Sequence, residues 1–288
     1  MISGENLMTI ELELGAFYKE TREKLGYSQR DAESAYCDHS LISRFENGET
    51  VLRADKLLMA INGLDLTPTE FFVWHGEYLP NRLQIFNKKM SAYAINEDVD
   101  GLKTLLKTRA IRNEDKIFNI LVKCAIFDLS DEMLIIKSER KFIEKHFNNV
   151  KQWTIYEMSV FAHCLEAIDD AEVYDIGQDI LKSDEFSKII DSNATLAKKT
   201  LVNLYVHLIC HGSYRYAEKL KQGINDLLTE WDMSEKIILH IFEKFSLYRQ
   251  EKSPELLAEI QDDLQILNRF GATGMAKRMT LFIKKYCE

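Results

Sequence analysis

At 288 residues, with 46% hydrophobic and 29% charged side chains, the chain is long enough for two domains, or for one domain and a long helical array. A formal net charge of −9 excludes nucleic-acid binding through bulk positive charge, and five scattered cysteines without a CxxC pair argue against zinc and for reduced thiols. No run reaches the roughly 18 apolar residues of a membrane span and no basic-then-apolar leader opens the chain, so a soluble, cytoplasmic protein with no membrane partner is expected.

Residues 1–9 carry no periodic pattern and read as a frayed arm. Ile10 to Leu25 places Leu14, Phe17, Tyr18, Thr21 and Leu25 at helical spacing and stops at Gly26. Ser28 to Ala35 reads as a second short helix, with Tyr36 and Cys37 in the turn after it and Cys37 as a small apolar plug. The stretch DHSLISRFENG then predicts a third helix, capped by Asp38 and ended by Gly48. Its apolar side is Leu41, Ile42 and Phe45, while His39, Ser40, Ser43 and Asn47 fall around the other, with Arg44 beside them. Short helices in this order, with a polar cluster on the third, are what a helix-turn-helix DNA reader requires. Arg44 would contact phosphate or a guanine edge, and His39, Ser40, Ser43 and Asn47 would face bases. Residues 1–70 nonetheless hold seven Lys and Arg against thirteen Asp and Glu. Affinity must therefore come from a local field, with Arg30, Arg44, Arg53, Lys19 and Arg22 gathered on the DNA side, and from dimerisation.

Arg53 to Asn62 predicts a fourth helix, and Thr67-Pro68-Thr69-Glu70 is a capping box that opens a fifth through Phe71, Phe72 and Trp74. A junction follows, giving domains at 1–75 and 76–288. Beyond it the pattern is helical, with candidate helices at 80–95, 97–109, 113–128, 130–147, 152–168, 170–183, 193–211, 213–229, 233–250, 253–270 and 272–286. Many short helices in hairpin order are the sequence form of a helical-repeat array.

In the first helix of each pair, Asn119, Ser159, Asn203 and His240 recur at intervals of about 40 residues, close to the lengths of tetratricopeptide and HEAT-like units. Lys123, His163, His207 and Lys244 follow four residues later, and Tyr156 and Thr200 precede by one turn. These are nearly the only polar side chains on otherwise apolar helices, so they would point into a concave groove able to hold an extended peptide. The alternative is a solvated inner face, or polar groups bonded to neighbouring helices. Enzyme motifs are missing: no GxxxxGK[ST], GxSxG, HExxH or GxGxxG occurs, and the adjacent pairs His163-Cys164 and Cys210-His211 point about 100° apart on helices.

SLISRFENGET is similar to the recognition-helix signature of Cro/C1-type helix-turn-helix domains over about Leu12 to Phe72, and SRFENGE resembles that of the Rgg/GadR/MutR regulators of Gram-positive bacteria. NVKQWTIYEMSVF, Asn149 to Phe161, also resembles the MutR-type C-terminal region. One departure is visible. Ala32 falls at the small inter-helix position, but Gln29 lies one residue too close to it, with Ser28 at the usual glutamine place. The resemblance implies an all-α chain, a helix-turn-helix domain followed by a tetratricopeptide-like array, with no enzymatic activity, cofactor or metal. It also implies a homodimer on promoter DNA, controlled by a short signalling peptide bound in the repeats. DNA contacts carry over to Ser28, Gln29, Arg30, His39, Ser40, Ser43, Arg44 and Asn47, and peptide contacts to Asn119, Lys123, Tyr156, His163, Asn203, His207 and His240. The rival is a scaffold whose helix-turn-helix segment docks a protein partner, which the acidic balance of residues 1–70 would permit.

Overall fold

The computed structural model describes residues 4–34, 36–75, 81–182 and 191–287, with side chains from residue 14 in the first span and from 194 in the last. The chain divides into two compact units, residues 1–82 and 83–288. Both are all-α: among the described residues the only β pairing is an isolated bridge between Ser34 and Cys37.

The first unit holds α1 (Gly4–Lys24), α2 (His39–Glu46), α3 (Ala54–Asn62) and α4 (Pro68–His75). Helix α1 begins at Gly4, so residues 4–9 are helical rather than a frayed arm. It ends where Gly26 takes φ +80° and Tyr27 N donates to Arg22 O, a left-handed stop that a side chain would strain. The expected helix over Ser28 to Ala35 is not formed; the described residues there make turns. Asp31 accepts from Ser28 N (2.8 Å) and Ser28 Oγ accepts from Asp31 N (3.2 Å), a start that only one α-type bond, Ala32 N to Ser28 O, continues before the bridge to Cys37. A segment this short forms little helix without partners to hold it. Tyr18, Ala32, Ile42, Phe45, Ala60, Ile61 and Phe71 form the core, with Ile42, Phe45, Ile61 and Phe71 each contributing about 1.5–3 kcal/mol by burial. Gly15 permits a close crossing: a Cβ there would collide with the Phe45 carbonyl. The Thr67–Glu70 capping box is present, Glu70 Oε2 accepting from Thr67 N (2.8 Å) and Thr67 Oγ1 from Glu70 N (3.2 Å).

The second unit contains α5 (from Arg82 to Ile95), α6 (Val99–Thr104), α7 (Asn113–Ser130), α8 (Lys137–Asn148), α9 (Ile155–Ala162), a 3-10 turn (Leu165–Ala167), α10 (Asp170–Lys182), α11 (Asp191–Cys210), α12 (Tyr214–Leu227), α13 (Met233–Glu251), α14 (Pro254–Arg269) and α15 (Thr273–Tyr286). Helix α11 is the hub, packed on α9, α10, α12 and α13 through Leu201, Val202, Leu204, Tyr205, Leu208 and Ile209. Gly212 and Gly271, with φ +78° and +79°, close the hairpin turns after α11 and α14. Three expected helices are shorter. Helix α6 stops at Thr104, and Asn119 holds the loop behind it, accepting from Lys107 N (2.9 Å) and donating to Lys107 O (2.8 Å). The 130–147 helix starts only at Lys137, because Asp131 ends α7 in the left-handed region and Glu139 caps the new start from Ile136 N. The 152–168 helix breaks at His163, where the chain turns into the 3-10 segment.

Candidate functional sites

In the first unit α2 divides its surface sharply. Asp38 Oδ1 accepts from Leu41 N at 2.8 Å and Gly48 sits at φ +70°, fixing both ends. Ile42, Phe45 and Glu46 are buried; His39, Ser40, Arg44 and Asn47 are exposed, with Ser43 between the two classes. The buried carboxylate is the feature sequence reading missed. Arg22 Nε donates to Glu46 Oε1 (2.6 Å), Arg22 Nη2 to Glu46 Oε2 (2.9 Å), and Arg22 Nη1 to Tyr27 O (2.7 Å). Bonding to Glu46 raises the Arg22 pKa further, so the guanidinium stays charged. Arg22 is therefore not on an outward basic face with Arg30, Arg44 and Arg53: its charge is spent inside, locking α1 to α2. Gln29 joins the same lock, Nε2 donating to Glu46 Oε2 at 2.7 Å, while Ser28 and Arg30 are exposed beside it. His39 is tethered to Glu33, whose Oε1 accepts from His39 N at 2.9 Å and also meets Nδ1. The signal for the lock was a charged residue on each buried stripe, Arg22 four positions after Tyr18 and Glu46 four after Ile42.

In the second unit the polar rows do not lie along one groove. Asn119 holds the loop at Lys107, and Lys123 is paired with Glu139 at 2.7 Å. Lys244 bonds Asp263 (2.9 Å) and Glu259 (3.1 Å), and His240 stands on an apolar hollow between α13 and α14 that includes Ile237, Ile266 and Phe270. Thr200 is fully buried, Tyr156 is half-buried against the core, and Ser159 O accepts from the exposed His163. Bonding to neighbouring helices thus accounts for Lys123 and Lys244, and bonding to a loop for Asn119. His163, Asn203 and His207 do meet, on a cavity of about 330 Å³. Its walls are mainly apolar: Val206 of α11, Ile238 and Phe242 of α13, and Met275, Met279 and Phe282 of α15. Asn203 is exposed and has no hydrogen-bond partner among the described residues. An apolar cavity with a few convergent polar groups is the usual form of a ligand site.

At the polar end of this cavity His207 of α11 and His211, the first residue past its end, stand between Glu166 of the 3-10 turn and Asp170 of α10. Ser213 Oγ donates to Asp170 from the following turn. Burial opposes the charge on Glu166, but pairing with His207 and His211 wins and holds its carboxyl at about 2. Asp170 is likewise lowered: both imidazoles and Ser213 outweigh burial. Pairing with Asp170 and Glu166 raises His211 to about 9; His207 is also raised, the same carboxylates overcoming a larger burial penalty. Sequence reading singled out His207 but neither carboxylate. The available signal was the His207-x3-His211 spacing, which places both rings on one helix face.

A compact helical head with a polar-faced short helix, followed by an array of helix pairs around an apolar cavity, is consistent with a helix-turn-helix head and a C-terminal domain of helical repeats. Residues 103–281 match the model of the C-terminal domain of the HTH-type transcriptional regulator Rgg, and the chain belongs to that family. It is accordingly a transcriptional regulator and not an enzyme. The fold is similar to the crystal structure of the Streptococcus dysgalactiae SHP pheromone receptor Rgg2, with a TM-score of 0.75 and 19% identity over 94% of this chain and 99% of that one. It is also similar to PrgX in its complex with iCF10, with a TM-score of 0.68 and 12% identity over 96% of each chain. Among the described residues, no helix is long and apolar enough to cross a membrane.

Proposed function

We propose that the chain binds promoter DNA through α2 as a homodimer and that a short signalling peptide in the α7–α11–α13–α15 cavity controls it. The observation that carries the DNA part is the division of α2: its inner side is locked by Arg22 and Glu46, and Ser40, Arg44 and Asn47 are left to solvent. In this reading Ser40, Ser43, Arg44 and Asn47 face base edges, His39 lies at the rim, and Ser28 and Arg30 contact phosphate. With Arg22 withdrawn into the core and Gln29 bonded to Glu46, one head has few phosphate contacts, which favours a dimer. The peptide part rests on the cavity's composition and on the similarity of the fold to an SHP pheromone receptor and to a bacterial peptide pheromone/receptor complex. Asn203, whose amide offers both donor and acceptor, and His163 would fix a peptide backbone, while the apolar walls select side chains. Asn119, Lys123, Tyr156 and His240 lie outside this cavity and have lesser claims to ligand contact. A ligand with unequal affinity for two arrangements of the repeats shifts their populations, and no further chemistry is needed.

The test is selection of duplexes from a random DNA pool by the full chain, followed by anisotropy titration of the winner at several salt concentrations. Enrichment of a two-half-site sequence, lost with Arg44→Ala, is the expected outcome. Failure to enrich any sequence would return the head to the docking role of a scaffold.

A further inference from the structure

The two histidines and two carboxylates at the end of the cavity have a geometry that paired charges alone do not explain. The distances are His207 Nδ1 to Glu166 Oε1, 3.4 Å, and His211 Nε2 to Glu166 Oε2, 3.3 Å. On the opposite nitrogens, His207 Nε2 and His211 Nδ1 each lie 3.4 Å from Asp170 Oδ1. Charge-assisted N–H···O bonds are about 2.7–2.9 Å, so all four contacts are long. His207 is buried, yet its Nε2 has no hydrogen-bond partner. The two rings also sit only 4.0 Å apart, centroid to centroid, where two imidazolium charges would repel. Tetrahedral zinc with bonds of about 2.0 Å to nitrogen and oxygen has donor-to-donor edges of about 3.3 Å. Glu166, His207 and His211 each offer one donor atom within 4.8 Å of those of the other two.

We propose that Glu166, His207 and His211 form a site for a divalent transition-metal ion of the zinc class, with Asp170 orienting both imidazoles from the far side. A metal on Nδ1 of His207 fixes the tautomer with the proton on Nε2, the nitrogen 3.4 Å from Asp170 Oδ1, which gives that nitrogen a carboxylate to turn toward. The arrangement is that of carboxylate–histidine–metal sites, in which the outer carboxylate sets ring orientation and ligand basicity. One divalent cation replaces two protons against the same two carboxylates. Three protein donors leave a fourth tetrahedral position, and two of the three, Glu166 and His207, also line the cavity. The site stands independently of DNA binding and of the peptide reading.

Full-length protein stripped with a chelator is titrated with Zn²⁺ by calorimetry and with Co²⁺ by visible absorption. One ion per chain, with the d–d bands of a tetrahedral cobalt site and no sulfur-to-cobalt charge-transfer band, is expected. Glu166→Gln and His211→Asn should each weaken binding at least tenfold and lose the cobalt bands. Asp170→Asn should keep the bands and weaken binding by about 10–100-fold. His211 reaches solvent, so its substitution leaves the core packed, and circular dichroism checks the fold of each variant. Absence of stoichiometric binding to the wild type, a thiolate band, or unchanged affinity in folded Glu166→Gln and His211→Asn would overturn the assignment.

Discussion

Replacing Glu46 by glutamine keeps the shape of the side chain and removes one charge from a site where the Arg22 side chain is 8% exposed and that of Glu46 not at all. The guanidinium then loses its principal counter-charge and keeps only Tyr27 O and the exposed carboxylate of Glu23, 3.5 Å from Nη2. Breaking a buried pair from one side costs about 3–5 kcal/mol, because the remaining ion is left poorly hydrated and only partly compensated. A unit of this size has roughly 4–12 kcal/mol in all, so the loss is a large fraction of its stability. Hydrogen exchange followed by mass spectrometry reads the two units separately in the full chain. Each 1.4 kcal/mol is a factor of ten, so protection of the α1 and α2 amides should fall by about a hundredfold or more, with residues 83–288 unchanged. Replacing both partners, Arg22→Met with Glu46→Leu, should recover most of the loss, since an apolar pair avoids the stranded charge. Recovery stays incomplete because Tyr27 O and Gln29 Nε2 lose their partner atoms. A fall of less than about fivefold in Glu46→Gln, or a double variant no better than the single one, would refute the placement of the ion pair at the core of this unit.

Gly15→Ala should destabilise the same unit by about 1–3 kcal/mol, read by the same exchange, because its Cβ meets the Phe45 carbonyl; Gly274→Ala, with open space around it, should stay within about 0.5 kcal/mol. Arg44→Ala and Ser40→Ala should each lower affinity for the selected duplex by about 1–3 kcal/mol in anisotropy titrations while the melting temperature holds, since both side chains are exposed. Asn203→Ala should reduce peptide response without a thermal shift, whereas His207→Ala should lower the melting temperature measurably in differential scanning fluorimetry, being buried between Glu166 and Asp170. With a chromogenic disulfide reagent, Cys287 should react first and the buried Cys37, Cys124, Cys164 and Cys210 only as the chain opens.

Helix periodicity was legible almost throughout, because apolar spacing of 3.6 records burial directly. Thus α10 to α15 lie within a few residues of where Asp169-Asp170, Gly212-Ser213, Ser253-Pro254 and Gly271 break the pattern. The stretch from Ser28 to Ser34 was not legible: its composition suits a helix, but the bond from Gln29 to Glu46 and the local bridge from Ser34 to Cys37 hold it in turns. The polar rows show the limit of periodicity at a site. Equal spacing along the sequence gives similar positions on successive helices, yet whether a side chain meets an acid or open space depends on what the next helix supplies. Glu139 and Asp263 claim Lys123 and Lys244, whereas Asn203 meets no such partner. The His207–His211 cluster was half visible for the same reason. The spacing of its rings is local, but Glu166 and Asp170 come from some forty residues earlier, and only folding sets them on opposite sides.

The lock between Arg22 and Glu46 also bears on how such a head can change over generations. What holds α2 in place is drawn from its inner side, so Ser40, Arg44 and Asn47 are free of structural duty. On the proposed reading of DNA by these side chains, substitutions there change the preferred operator at small cost in folding, and a duplicated copy could acquire a separate set of targets without first gaining stability. Altered specificity and a lost fold are therefore separate mutational events in this helix, divided by which side of an eight-residue cylinder is struck.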